Sequence, residues 1–139
     1  MLNFTHSFTV PGKAPQEVFD FVTEPSNGTK WAGSAKEITA EGDPGVGRKI
    51  HVKAHMVISF DITQEVTTWE APTHYAFGAT SPVTVNFDFQ FSPAGDGTKV
   101  DVKLDADPGK FIPGGSLLLK GKFKKDFQSD MSRLETALA

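Results

Sequence analysis

Phe123, Phe127, Met131, Leu134 and Leu138 recur at steps of four, four, three and four. That spacing lays one apolar stripe along an amphipathic helix. The other face carries Lys122, Lys125, Gln128, Ser129, Asp130, Ser132, Arg133 and Glu135, so water wets that side and the stripe rests on something apolar. The apolar partner is supplied upstream. Residues 46–106 are mostly alternating segments, and in the clearest of them Val83, Val85, Phe87, Phe89 and Phe91 share one face while Thr84, Asn86, Asp88 and Gln90 share the other. Alternation of this kind predicts antiparallel strands with one face on a core. Together the two patterns predict an α+β architecture: a curved antiparallel sheet gripping one long helix that follows a Gly114-Gly115 break.

The remaining segments fit that plan. Asn3 to Val10 alternates, with Phe4, His6, Phe8 and Val10 on one side, and reads as a first strand ended by Pro11-Gly12. Ala14-Pro15 then opens a helix with proline in the first turn, where a missing N–H costs nothing, and Val18, Phe19, Phe21 and Val22 form its buried face. Pro25-Ser26-Asn27-Gly28 breaks it, and a short second helical piece runs toward Trp31. Lys36 to Ala40 is a short strand, and residues 42–47 form a breaker-rich loop. Arg48 to Ala54 is the next strand, with Ile50, Val52 and Ala54 inside and Lys49, His51 and Lys53 outside. A strand from 48 to 69 would exceed ordinary lengths, so a reversal is placed at His55-Met56-Val57. Ile58 to Trp69 follows, with Phe60, Ile62, Gln64 and Val66 on one side. Tyr75 to Thr80, then 83–92, then Lys99 to Ala106 complete the sheet, the last two joined by a turn over Pro93 to Gly97.

A chain of 139 residues reads as one domain over 1–139, able to bury roughly 68% of its unfolded surface without staples. It contains no cysteine, which excludes disulfides, thiolate metal sites and cysteine nucleophiles. The N-terminus shows neither a basic region nor an apolar run of signal length, so a cytoplasmic, soluble protein is expected. A net charge of −3 gives no field favouring nucleic acid. The local cluster Lys120, Lys122, Lys124 and Lys125 is read as a solvated helix face.

Candidate chemistry is sparse. His51 and His55 stand four apart, about 13 Å along a strand, too far to share an ion, so no metal and no cofactor are expected. Ser26, Ser34 and Ser116 lack a nucleophile elbow, and the glycine-rich loop lacks a Gly-Lys-Ser/Thr ending. Asp61, Glu65, Asp88, Asp101 and Asp105 fall on polar strand faces, leaving no inward acid pair for glycosidase-type work. His6 shares an apolar face with Phe4 and Phe8, and reads as a core histidine or as a polar handle or general acid/base in a cavity. Gln64 interrupts an inward apolar series, while Trp31 and Tyr75 each join apolar bulk to one donor. A mostly apolar cavity with a few such groups is how small-ligand sites are built. Candidate ligand contacts are therefore His6, Trp31, Gln64, Tyr75, Phe77, Phe87, Phe89, Phe123 and Phe127, with His6 and Tyr75 as candidates for proton transfer.

The order of elements carries a resemblance. The residues are Val10 followed by Ala14 to Val22, Pro25 with Trp31, Gly45-Val46-Gly47, Trp69-Glu70-Ala71-Pro72 before Tyr75, Phe91-Ser92-Pro93 with Gly97 to Val100, and Met131 to Glu135. Over nearly its whole length the chain resembles the START-like, or SRPBCC, helix-grip superfamily, in its bacterial polyketide cyclase/dehydrase and lipid-transport branch. The resemblance implies a sheet of about seven strands wrapped around the C-terminal helix, two short helices after the first strand, and a loop at residues 42–47 bordering a cavity mouth. It carries fold rather than activity. Three functions stay in play: holding or transporting a lipid-, sterol- or polyketide-like molecule, a cyclase or dehydrase using the same cavity, or a stress-linked, cochaperone-like interaction domain. The expected partner is a hydrophobic small molecule, without nucleic acid or stable membrane insertion, for a monomer or homodimer.

Overall fold

The computed structural model describes residues 1–55, 59–81, 83–107 and 120–139. The strands are β1 (Leu2–Val10), β2 (Ala35–Glu41), β3 (Lys49–His55), β4 (Ser59–Glu70), β5 (His74–Ala79), β6 (Thr84–Ala94) and β7 (Gly97–Asp107). The helices are α1 (Pro15–Thr23), a 3₁₀ helix (Pro25–Lys30) and α2 (Lys120–Leu138). The reversal placed at His55-Met56-Val57 and the Gly114-Gly115 break fall on residues 56–58 and 108–119, outside the described residues apart from His55, which ends β3 and pairs with Ser59.

All strand pairs are antiparallel, in the order β1-β7-β6-β5-β4-β3-β2. β1 and β2 thus occupy opposite edges, and the chain between them crosses the width of the sheet. It does so as α1 and the 3₁₀ helix, which press Val18, Phe19 and Val22 onto the concave face. Proline occupies the first turn of α1 as the sequence requires, although Phe21 stays half-buried rather than joining the buried face. α2 returns over β1 and the 3₁₀ helix, burying Phe127, Met131, Leu134 and Leu138, with Phe123 half-buried at its open end. This is the helix-grip arrangement of a curved sheet closed by a C-terminal helix.

Two departures from simple alternation matter. The β6–β7 turn is tighter than the sequence suggests, because Ala94 pairs with Gly97 and only Gly95 and Asp96 reverse the chain. Gly95 takes a left-handed φ of 60°, and a Cβ on Gly97 would sit 2.1 Å from the Val10 carbonyl, so glycine is required at both. The register also shifts between Val66 and Thr68. This bulge turns Trp69 onto the face of Phe60, Ile62, Gln64 and Val66, where it meets Phe19 and Tyr75 edge-on at 5.3 and 5.6 Å.

The filled part of the core lies under α1. Phe19 and Phe89 are almost completely buried, and Phe87, Phe89 and Phe91 stack along β6 with centroids 6.0 and 6.2 Å apart. Tyr75 and Phe77 of the neighbouring strand lie against them. Among the described residues no helix is long and apolar enough to cross a membrane.

Candidate ligand cavity

Toward β2–β5 the sheet and α2 part, leaving a cavity of about 170 Å³. The reason is side-chain volume. Ala35, Ala54 and Ala106 occupy inward positions of β2, β3 and β7 there, and their methyl groups leave unfilled the space that the β6 aromatics fill elsewhere. Ile50, Val52, Phe60 and Ile62 form the rest of the sheet wall, Val85, Phe87 and Leu104 one flank, and Phe123 and Phe127 the helical roof. Trp31 closes the side nearest the 3₁₀ helix, with its ring edge-on to Phe87 and Phe89 at 6.0 and 5.8 Å.

Polar groups enter this wall from three adjacent strands. Arg48 precedes β3 and is pinned by its backbone, its carbonyl accepting from Val66 N–H at 2.9 Å while Gly47 N–H donates to the Val66 carbonyl at 2.9 Å. It therefore sits opposite Val66 and diagonal to Gln64, which pairs with Ile50 in regular register. Tyr75 comes from β5 and is almost completely buried. Burial pushes its phenol well above the usual tyrosine range, and the Arg48 guanidinium pulls it only part of the way back, so the hydroxyl stays protonated and acts as a neutral donor or acceptor. Among the described residues Arg48 Nε and Trp31 Nε1 are buried without a protein partner.

A clip fastens α2 beside Trp31. Asp130 accepts from Gly33 N–H at 3.0 Å and pairs with Arg133, whose Nε donates to the Trp31 carbonyl at 3.1 Å. Burial raises the Asp130 carboxyl above its usual range, with the Gly33 N–H and Arg133 opposing that shift. Asp130 and Arg133 belong to the helix face expected to be wet. The correction is that the Asp130 side chain is only 14% exposed, because the turn after the 3₁₀ helix folds over it.

Of the sequence candidates, Trp31, Gln64, Tyr75, Phe77, Phe87, Phe123 and Phe127 line the cavity together. His6 and Phe89 do not. His6 does lie on the face of Phe8, but β1 is at the sheet edge under α2, and its Nε2 stands 3.9 Å from Glu135. Phe89 is sealed in the filled core by Trp31, Tyr75, Phe77 and Phe91. Arg48 was missed, although it shares the parity of Ile50, Val52 and Ala54 and so announces an inward side chain. The other histidines face outward: His51 meets Thr63 and Glu41, His55 meets Ser59, and His74 bonds Asp88 at 2.8 Å. Among the described residues no three His, Cys, Asp or Glu side chains could hold one metal ion.

With this geometry in place, the comparisons with known proteins are decisive for the family. The whole chain, residues 1–139, matches the profile described as polyketide cyclase / dehydrase and lipid transport. The chain belongs to that family. Its fold is shared by a protein from Thermus thermophilus with a TM-score of 0.77 at 17% identity, covering 98% of this chain and 96% of that one. A conserved protein from Geobacillus kaustophilus gives 0.74 at 22% identity, covering 99% and 95%. Ara h 8.0201 gives 0.64 at 18% identity, covering 98% and 96%. No curated protein sequence matches the chain.

Proposed function

We propose that this member of the polyketide cyclase/dehydrase and lipid transport family binds or carries a hydrophobic small molecule between β2–β5 and α2. The observation that carries the reading is the 170 Å³ cavity, walled by aliphatic and aromatic side chains and entered by a few convergent polar groups. An apolar cavity of about 150 Å³ stays dry and accepts benzene, so a ring-sized guest is a fitting occupant. Holding is favoured over turnover because His6 stands apart from the cavity and Tyr75 is held as a neutral phenol. A proton-transfer group needs a pKa near the working pH.

The test is binding of naphthalene, a neutral two-ring fluorophore, to the wild type and to Ala54→Phe, which fills the cavity from the sheet side. The wild type should bind saturably and the variant, folded by its cooperative unfolding, should not. Undiminished binding by Ala54→Phe would place the apolar site elsewhere. Native mass spectrometry of freshly purified protein would identify a retained guest.

A further inference from the structure

Among the described residues the wall of the cavity holds three carboxylates and one guanidinium, and they are not in the same state. Glu24 accepts from Ser26 N–H and Oγ at 3.3 and 3.0 Å, Asp126 pairs with Lys122 at 3.0 Å, and Asp130 is taken by Gly33 N–H and Arg133. Arg48 has no such partner: among the described residues no carboxylate pairs with it, and its Nε is buried without an acceptor. Among the described residues Trp31 Nε1 is the other orphaned atom in the wall. Both are donors, so the polar atoms missing from the cavity are acceptors.

We propose that the natural guest is an apolar monocarboxylate, about one or two rings in size, whose carboxylate sits on the Arg48 guanidinium. This rests on the apolar-ligand reading above and names its chemical class. A guanidinium presents a planar fork that matches a carboxylate with two parallel hydrogen bonds, which a point-charge ammonium does not. The backbone hydrogen bonds that hold Arg48 against Val66 fix where its side chain enters the cavity wall. Tyr75, kept protonated, and the Gln64 amide stand in the same wall with further donors. One guanidinium balances one negative charge, and among the described residues the second charge of a dianionic phosphate monoester would have no further cation in this wall. The apolar remainder of the guest then lies along Ile62, Phe77 and Phe87.

The test uses 2-naphthoate and 2-naphthamide, which share one apolar body and differ in charge, titrated calorimetrically at fixed moderate salt. The wild type should bind the acid roughly 10- to 100-fold more tightly, the range expected when a charge-assisted hydrogen-bonded pair is added. Arg48→Gln should lose this preference, with the acid falling to an affinity within about twofold of the amide's. Arg48→Lys, keeping the charge without the fork, should show an intermediate preference. Equal affinity of the two probes for the wild type overturns the inference and leaves the apolar-ligand reading standing. Failure of both probes to bind overturns the two together. A preference that survives unchanged in Arg48→Gln, or in Arg48→Lys should the glutamine variant not fold, also overturns it, because the anion would then be held elsewhere.

Discussion

Phe127→Ala probes whether α2 closes the core as described. Its ring is 4% exposed, stacks on Phe4 of β1 at 6.0 Å, and forms part of the cavity roof. Truncating a buried Phe costs about 3–5 kcal/mol, from the lost transfer energy and the hole left behind. One flank of this ring already faces open space, so some dispersion contacts were never made. The expected loss is therefore about 3 kcal/mol, the lower end of that range. For a chain of 139 residues the unfolding entropy is about 0.3 kcal/mol/K, so Tm should fall by about 10 °C. Urea unfolding, followed through Trp31 and Trp69, gives the midpoint and slope together. Lys125, exposed on the opposite face, should change stability by less than about 0.5 kcal/mol when replaced by Ala. Leu134→Ala, at a fully buried position away from the cavity, should cost about 2–5 kcal/mol. A Phe127→Ala midpoint indistinguishable from that of Lys125→Ala would refute the placement of this helix face.

Tyr75 is the only tyrosine in the chain, so absorbance at 295 nm reports it alone; the native protein should show no phenolate at pH 10, where an unfolded chain is about half titrated. Because its folded pKa is raised, its contribution to stability is present below about pH 10 and lost above it, at up to about 1.4 kcal/mol per pH unit; a native midpoint near 10 would contradict the buried hydroxyl. Asp130 also has a raised pKa, so the folded state holds this proton more tightly and the associated stability, complete below about pH 4, is lost as pH rises through the raised value. Asp130→Asn should accordingly gain Tm relative to wild type between pH 4 and pH 7, and parallel profiles would count against a buried charge. His6→Gln should leave naphthalene affinity within about twofold, and a large loss would return His6 to the ligand site.

Much of the fold was legible because its periods are strong. The β6 aromatics and the α2 stripe each repeat long enough to define a face, and Pro15 marks the start of α1. Alternation was less informative about depth. It placed His6 and Phe89 correctly on the concave side, yet a two-residue period cannot say whether an inward residue meets a helix, a filled core or a void. Arg48, Ile50, Val52 and Ala54 share one parity, yet a charged residue at a strand entrance is ordinarily solvated, so parity alone does not put a guanidinium in a cavity wall. The bulge between Val66 and Thr68 had no turn residue to signal it, so the inward turn of Trp69 could not be read from the pattern. The Asp130–Arg133 clip joins residues about a hundred positions from Trp31 and Gly33, a contact that only the tertiary path of α2 creates.

One sheet thus carries both a core and a cavity on the same concave face, and small side chains decide where one gives way to the other. At about 24 cal/mol per Å³ of unfilled apolar space, a cavity of 170 Å³ lowers stability by up to about 4 kcal/mol. That is a large fraction of the roughly 5–15 kcal/mol that holds a domain folded. Filling Ala35, Ala54 and Ala106 with larger side chains would recover part of it and remove the site, so unliganded stability and binding capacity are in opposition at these three positions. A guest present at about 100 times its Kd returns about 2.7 kcal/mol through linkage. The ligand then does what larger side chains at Ala35, Ala54 and Ala106 would otherwise do, and the folded state is most stable when the cavity is occupied.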